Sequence, residues 1–290
     1  MKLNATCRKC LLDKYLAGYP ESAPPERIAE YRRIVEDAVA NDGGRTSPEL
    51  VEYFTRESER LFGPGKDWTE IKSRYNRLML TFEKTMESGI RSSRDPLLTA
   101  VRYAMIGNYI DFAAVDSVDE GKLGELLEDT ERFRVDSDVL SSLKSDLSRA
   151  GRLTYVHDNC GEIVADKLLI KTAKTLSPGL EVFSVVRGEQ VMNDATEEDA
   201  YEVGLDAAST VIGSGNGVGG CVMERLSPEA RRAMENADVV ISKGQANYET
   251  LAGCGLNVYY IFLCKCDRFI SEFGVPRFTG MLTREKDFRG

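Results

Sequence analysis

Leu153-Thr154-Tyr155-Val156-His157-Asp158-Asn159-Cys160-Gly161-Glu162 is a short β-type run that stops on an adjacent carboxylate and carboxamide, followed by a glycine and a second carboxylate. Residues 163–175 continue it as a helix-like stretch. The same alternation recurs downstream. Apolar runs at 181–186, 210–213, 238–241 and 258–263 are separated by helix-like stretches such as 197–208 and 228–236. Strands alternating with helices predict a largely parallel sheet covered on both faces, a three-layer α/β/α domain over residues 151–290.

Upstream the texture is helical, charged and poor in strand signals. Pro24-Pro25 opens a segment with apolar residues at Ile28, Tyr31, Ile34 and Val35, and Ser47-Pro48 repeats the cap-then-proline start. A third helix is read over 68–86, with Ile71, Tyr75, Leu78, Met79 and Phe82 on one stripe and Gly89 closing it. Another helical block runs over 96–111. Together these make a helical N-terminal domain, residues 1–115. The acidic, Asp- and Ser-rich stretch 116–150 reads as a helical connection.

The 290 residues carry a formal charge of −9, 42% hydrophobic and 29% charged residues. That is the balance of a globular protein, and no apolar run approaches the roughly 20 residues of a membrane span. Net negative charge without a basic stripe argues against nucleic acid, whose phosphates are held by many lysines and arginines. A small-molecule partner is the expectation. No apolar stretch follows Lys2, so the chain is expected in the cytoplasm.

Seven cysteines, an odd number, are expected as thiols or metal ligands rather than a disulfide framework. Cys7-x-x-Cys10 resembles half of a zinc site, and Cys264-x-Cys266 could complete it in space; simple buried thiols are the alternative reading. The single histidine, His157, excludes a His-pair zinc site. It is read as a packed or surface residue beside the chemistry.

In an open parallel sheet, ligands bind outside the carboxyl ends of the strands. Here those ends collect Asp158-Asn159 with Glu162, Arg187-Gly188 with Asn193-Asp194, a glycine run from 213 to 220, and Ser242-Lys243-Gly244-Gln245-x-Asn247. Asp158, Asn159 and Asp194 offer three oxygen donors, a set suited to magnesium or manganese with open positions for substrate. Lys243 and Arg187 would be cations aimed at the same spot. Metal and lysine together suggest phosphoryl chemistry. Each element alone is also an ordinary turn or helix cap; recurrence at successive strand ends is what raises it above that. Gly215, Gly217 and Gly220 match G-x-G-x-x-G only formally, since Pro228 follows too soon for the helix that motif opens.

The ordered set Asp158-Asn159-x-Gly161-Glu162, Arg187-Gly188, Asn193-Asp194, Ser242-Lys243-Gly244-Gln245-x-Asn247, Gly107-Asn108-x-x-Asp111-Phe112 and the CxxC resembles the damage-control metal-dependent phosphatases, long catalogued as a domain of unknown function, and is closest to their prokaryotic, CxxC-bearing branch. The resemblance spans nearly the whole chain. It implies hydrolysis of small phosphorylated metabolites with a divalent cation such as manganese, cobalt, nickel or magnesium. The implied metal ligands are Asp158, Asn159 and Asp194. Glu162 and Lys243 fall near the substrate phosphate, giving Asp158, Glu162 and Lys243 as the catalytic set. Asn108, Asp111, Arg187, Ser242, Lys243 and Asn247 form the substrate-binding set. Cys7, Cys10, Cys264 and Cys266 remain candidates for a structural zinc. His157 stands where glycine is expected in this branch. The rival readings are a nucleotide- or cofactor-binding transferase of methyltransferase type, using the glycine run, and a non-catalytic metabolite-binding protein.

Overall fold

The computed structural model describes residues 1–111 and 119–285. The boundary expected at 115/116 and Phe112 of the upstream motif lie outside the described residues. Five helices come first: α1 (Ala5–Tyr15), α2 (Pro25–Ala40), α3 (Ser47–Phe62), α4 (Thr69–Ser92) and α5 (Pro96–Gly107). Then α6 (Glu120–Glu128) and α7 (Ser137–Arg149) lead into the sheet. Local signals explain several starts. Thr46 and Glu49 form a reciprocal capping box on α3, and Asp95 accepts from Leu98 N with Pro96 in the first turn of α5.

The sheet alternates β1 (Arg152–Val156), α8 (Glu162–Leu176), β2 (Glu181–Val186), α9 (Glu197–Glu202), β3 (Thr210–Gly213), α10 (Pro228–Glu235), β4 (Val239–Lys243), α11 (Gln245–Leu251), β5 (Val258–Leu263), α12 (Asp267–Phe273) and β6 (Gly280–Arg284). Strand order is β3-β2-β1-β4-β5-β6. All pairings are parallel except β5 with β6. Successive side chains of a strand point to opposite faces, and the two cores divide accordingly. Leu153, Tyr155, Val239, Ile241, Tyr259 and Ile261 pack with α4, α5, α7 and α8. Val156, Val240, Val258, Tyr260 and Phe262 pack with α10, α11 and α12 on the other face. Helices α1 to α3 close around a cluster of their own, centred on Tyr31, Val35, Leu50 and Phe54. No described helix is long and apolar enough to cross a membrane.

Three expectations are corrected. Gly89 does not end its helix: α4 runs on to Ser92, and a methyl group at Gly89 would stand 2.7 Å from Tyr103 Oη, so its smallness serves the close approach of α5. The helix expected over 197–208 stops at Glu202, because Gly204 turns left-handed and only a single 3-10 turn follows. Strand β6 was not expected, since Leu282 is its only buried residue and little periodicity announces it.

Candidate active site

The chain lays β1, β2 and β3 outward in one direction, then returns to place β4 on the other side of β1. A crevice opens where the order reverses, outside the carboxyl ends of β1 and β4. Asp158 lies two residues beyond β1, and Lys243 ends β4. The order in which strands are laid down therefore brings together two residues 85 positions apart, numbered 158 and 243.

The backbone after β1 is held from both sides. Ala195 N donates to Asp158 O at 2.7 Å and Cys160 N to Asn193 O at 2.8 Å, which seats Asp194 opposite Asn159. Gly161, at φ 70°, turns the chain into α8, and its N–H donates to Asn76 Oδ1 on α4 at 2.7 Å. Asn76 also donates to Asp199 and Glu202 of α9. One fully buried amide thus ties α4 to the segments that follow β1 and β2.

Asp158 is gripped at one oxygen and loosely held at the other. Its Oδ2 accepts from Asn108 Nδ2 at 3.0 Å and Asn159 Nδ2 at 2.8 Å, whereas Oδ1 lies 3.4 Å from Arg187 Nη2. Arg187 Nε donates to Asp194 Oδ2 at 2.6 Å, and its Nη1 donates to Asn247 Oδ1 at 3.0 Å. Asn247 in turn donates to His157 O and Lys243 O, so its role here is to aim Arg187. Burial, followed by the nearby charges of Asp194, Glu162 and Asp111, pushes the Asp158 carboxyl far above the ordinary range despite Arg187. Burial also raises Asp194, with Arg187 opposing. The crevice holds more negative charge than its single arginine neutralises.

Glu162 and Lys243 stand in a different place from the one expected. Both are fully buried. Lys243 Nζ donates to Glu162 Oε1, to Asp166 Oδ1 at 2.6 Å and to Ala104 O at 2.9 Å, which uses all three of its N–H groups. Burial works against the ammonium, but Asp166 and Glu162 more than offset it and raise its pKa. Glu162 Oε2 accepts from Asn108 Nδ2 and Asn159 Nδ2, both at 3.0 Å, and from Asn159 N at 3.3 Å. That grip fixes which way the Asn159 amide faces. Its Oδ1 is turned away from Glu162, toward Asn193 Nδ2 at 2.9 Å.

The donor set was tested against a divalent cation. Two carboxylates and an amide oxygen are hard ligands of the kind magnesium and manganese take. Among the described residues Asp194 Oδ1 accepts no hydrogen bond, Asp158 Oδ1 has only the long contact to Arg187, and Asn193 Oδ1 is buried without a partner. The two loosely held carboxylate oxygens and the excess negative charge fit a cation, while Asn159 Oδ1 would have to share its bond from Asn193.

Among the other expected residues, Asp111 pairs with Lys265, and Ser242 Oγ is buried with no hydrogen-bond partner among the described residues. His157 is packed: it stacks on Tyr155 and bonds Asp166 and Ser184, both at 3.0 Å. The four cysteines do not assemble into a metal site, for no group of three or more His, Cys, Asp or Glu side chains suited to a metal occurs among the described residues. Cys7 Sγ instead accepts from Arg268 Nη1 at 3.4 Å, and Cys264 is buried in the core beneath α12. The glycine run serves packing. A methyl at Gly188 would lie 2.3 Å from Gly215 N, so two loops meet backbone to backbone.

Sequence reasoning missed Asp166, Asn76 and Lys265. Asp166 had a signal, since it follows Glu162 by one helical turn and shares its face. Lys265 is buried just past β5 and donates to Asn108 O at 2.6 Å and to Asp111, which among the described residues engages two of its three N–H groups.

The model of the Damage-control phosphatase ARMT1-like domain matches residues 3–279. The chain belongs to this family. A protein of Archaeoglobus fulgidus named damage-control phosphatase is 29% identical over 289 residues, covering 95% of this chain and 96% of that protein. A damage-control phosphatase of Pyrococcus horikoshii is 32% identical over 188 residues, 64% of each chain. A crystal structure of a DUF89 family protein from Pyrococcus horikoshii superposes with a TM-score of 0.78 at 24% identity, covering 98% of this chain and 99% of that one, and shows the same fold. Membership in a damage-control phosphatase family makes phosphate-ester hydrolysis the activity the crevice has to explain.

Proposed function

We propose that the protein is a metal-dependent phosphomonoesterase acting on small phosphorylated metabolites, sugar phosphates or damaged by-products of metabolism, in the cytoplasm. The observation that carries this reading is the meeting of Asp158 and Asp194 on Arg187 at the sheet's switch point, with Asn159 bridged to Asp194. A divalent cation such as manganese, cobalt, nickel or magnesium, held by these three residues, would supply positive charge for phosphate oxygens.

The remaining groups prepare the site. Asn108 and Asn159 hold one Asp158 oxygen, leaving the other to face the reacting phosphate. Arg187 keeps Asp194 and Asp158 apart while limiting their repulsion. Glu162 and Lys243 act at one remove: Lys243 pairs with Glu162, and Glu162 orients the Asn159 amide. Lys265, beside Asn108 and Asp111, is a further cation for a phosphate oxygen.

The test is turnover by metal-stripped protein, reconstituted in turn with each of the four cations, on aryl and sugar phosphates, with metal content measured. Wild type should turn over only when reconstituted, and Asp158→Ala should be inactive. An Asp158→Ala protein working at the wild-type rate with manganese would overturn the reading.

A further inference from the structure

Phe278 combines two unusual properties. It is 36% exposed, one of two large apolar side chains so exposed among the described residues. Its backbone is left-handed, with φ 65°, a conformation that costs a non-glycine residue about 1–2 kcal/mol. The chain around it is tied down rather than loose. Phe278 N donates to Cys264 O at 2.7 Å, and Arg277 donates to Lys265 O and to Asp267. The ring meets Tyr109 edge-on, with centroids 5.7 Å apart.

Both rings belong to segments that build the crevice. Tyr109 directly follows Asn108, which bonds Asp158 and Glu162 through its side chain and Lys265 through its carbonyl. Phe278 hangs from Cys264, the residue before Lys265. The pair therefore stands at the carboxyl end of β5, two strands from β1. Neighbouring strands lie about 4.8 Å apart, so the ends of β5 and β1 are about 10 Å apart across the sheet, the span of a phosphorylated ring.

We infer that Tyr109 and Phe278 form the wall receiving the organic part of the phosphate ester, and that they select esters whose alcohol offers a flat face, a ring rather than a short open chain. This inference rests on the phosphatase reading. Rings pack against aromatic faces and edges, whereas an acyclic chain gains little from them.

Phe278→Asn tests it, because asparagine tolerates the left-handed backbone and removes the ring; Phe278→Trp restores one. With manganese-loaded protein, kcat/KM is measured for 4-nitrophenyl phosphate, a hexose phosphate and glycerol phosphate. Phe278→Asn should lose about tenfold on both ring esters, through KM. It should stay within about twofold of wild type on glycerol phosphate, and Phe278→Trp should recover the ring esters. Equal losses on all three, or none, would overturn the wall while wild-type turnover keeps the phosphatase reading standing. A wild-type protein inert toward every ester with every cation would overturn both.

Discussion

Gly244 passes so close to Asp158 that a methyl group on its α-carbon would stand 1.9 Å from Asp158 Oδ2. The backbone there has φ 78° and ψ 160°, a region open essentially to glycine alone. The end of β4 is thus the floor on which the Asp158 carboxylate rests. Gly244→Ala should displace that carboxylate, and a shift of about 1 Å can cost 100-fold in rate. We expect kcat/KM to fall by at least about that factor, with the far-UV circular dichroism unchanged. Retention of wild-type kcat/KM would refute the floor.

Lys243 and its two carboxylates predict a particular pattern in stability. Breaking a buried pair by removing one partner costs about 3–5 kcal/mol, because the remaining charges are left uncompensated. Lys243→Met should lose about that much in urea unfolding. Adding Glu162→Gln and Asp166→Asn should recover part of it, since neutral amides replace stranded carboxylates. A triple variant less stable than Lys243→Met would show that the three groups do not act as one unit.

Asn76 predicts coupling between a distant helix and the cation. Asn76→Ala removes the acceptor of Gly161 N–H and the donor to Asp199 and Glu202. Unmade buried bonds cost about 1–3 kcal/mol. Manganese affinity, read by calorimetry, should fall about tenfold as the turn carrying Asp158 and Asn159 loosens. Unaltered affinity in a folded variant would separate α4 from the site.

Asp146 on α7 predicts an acid-dependent contribution to stability. It accepts from Tyr259 Oη at 2.8 Å, Asn257 Nδ2 at 3.0 Å and Arg284 Nη2 at 2.6 Å, clamping α7 to β5 and β6. Partial burial would raise its pKa, but the bonds to Tyr259 and Asn257 and the charge of Arg284 hold it below the ordinary 3.8. A folded-state pKa below the unfolded one stabilises above the unfolded value and is lost as pH falls through the folded one. Asp146→Asn should therefore cost about 1–3 kcal/mol at pH 7, and the difference should shrink below pH 3.8. A difference that is the same at pH 7 and pH 2 would contradict the assignment.

Much of this architecture was legible because it is local. Short continuous apolar runs marked the parallel strands, as strands buried on both faces require, and the polar residues at their ends marked the crevice. Direction was not legible. Lys243 carries the same letter whether its ammonium meets a phosphate or, as here, lies beneath the site against Glu162, Asp166 and Ala104. Gly89 shows the same limit, since a helix-ending glycine and one that admits Tyr103 look alike until α5 packs. Asn76 and Lys265 were silent because their partners lie 85 and 154 residues away.

The buried amides of Asn76 and Asn108 carry one last consequence. Among the described residues Asn76 alone receives the side-chain bond from Gly161 N–H, and Asn108 adds a second amide to the one that Asn159 gives Asp158 and Glu162. A fragment holding the whole sheet would keep every candidate cation ligand and still lack the scaffolding that makes them a site. The chemistry is therefore not portable: it cannot be grafted or inherited as an α/β module without the helices that precede it.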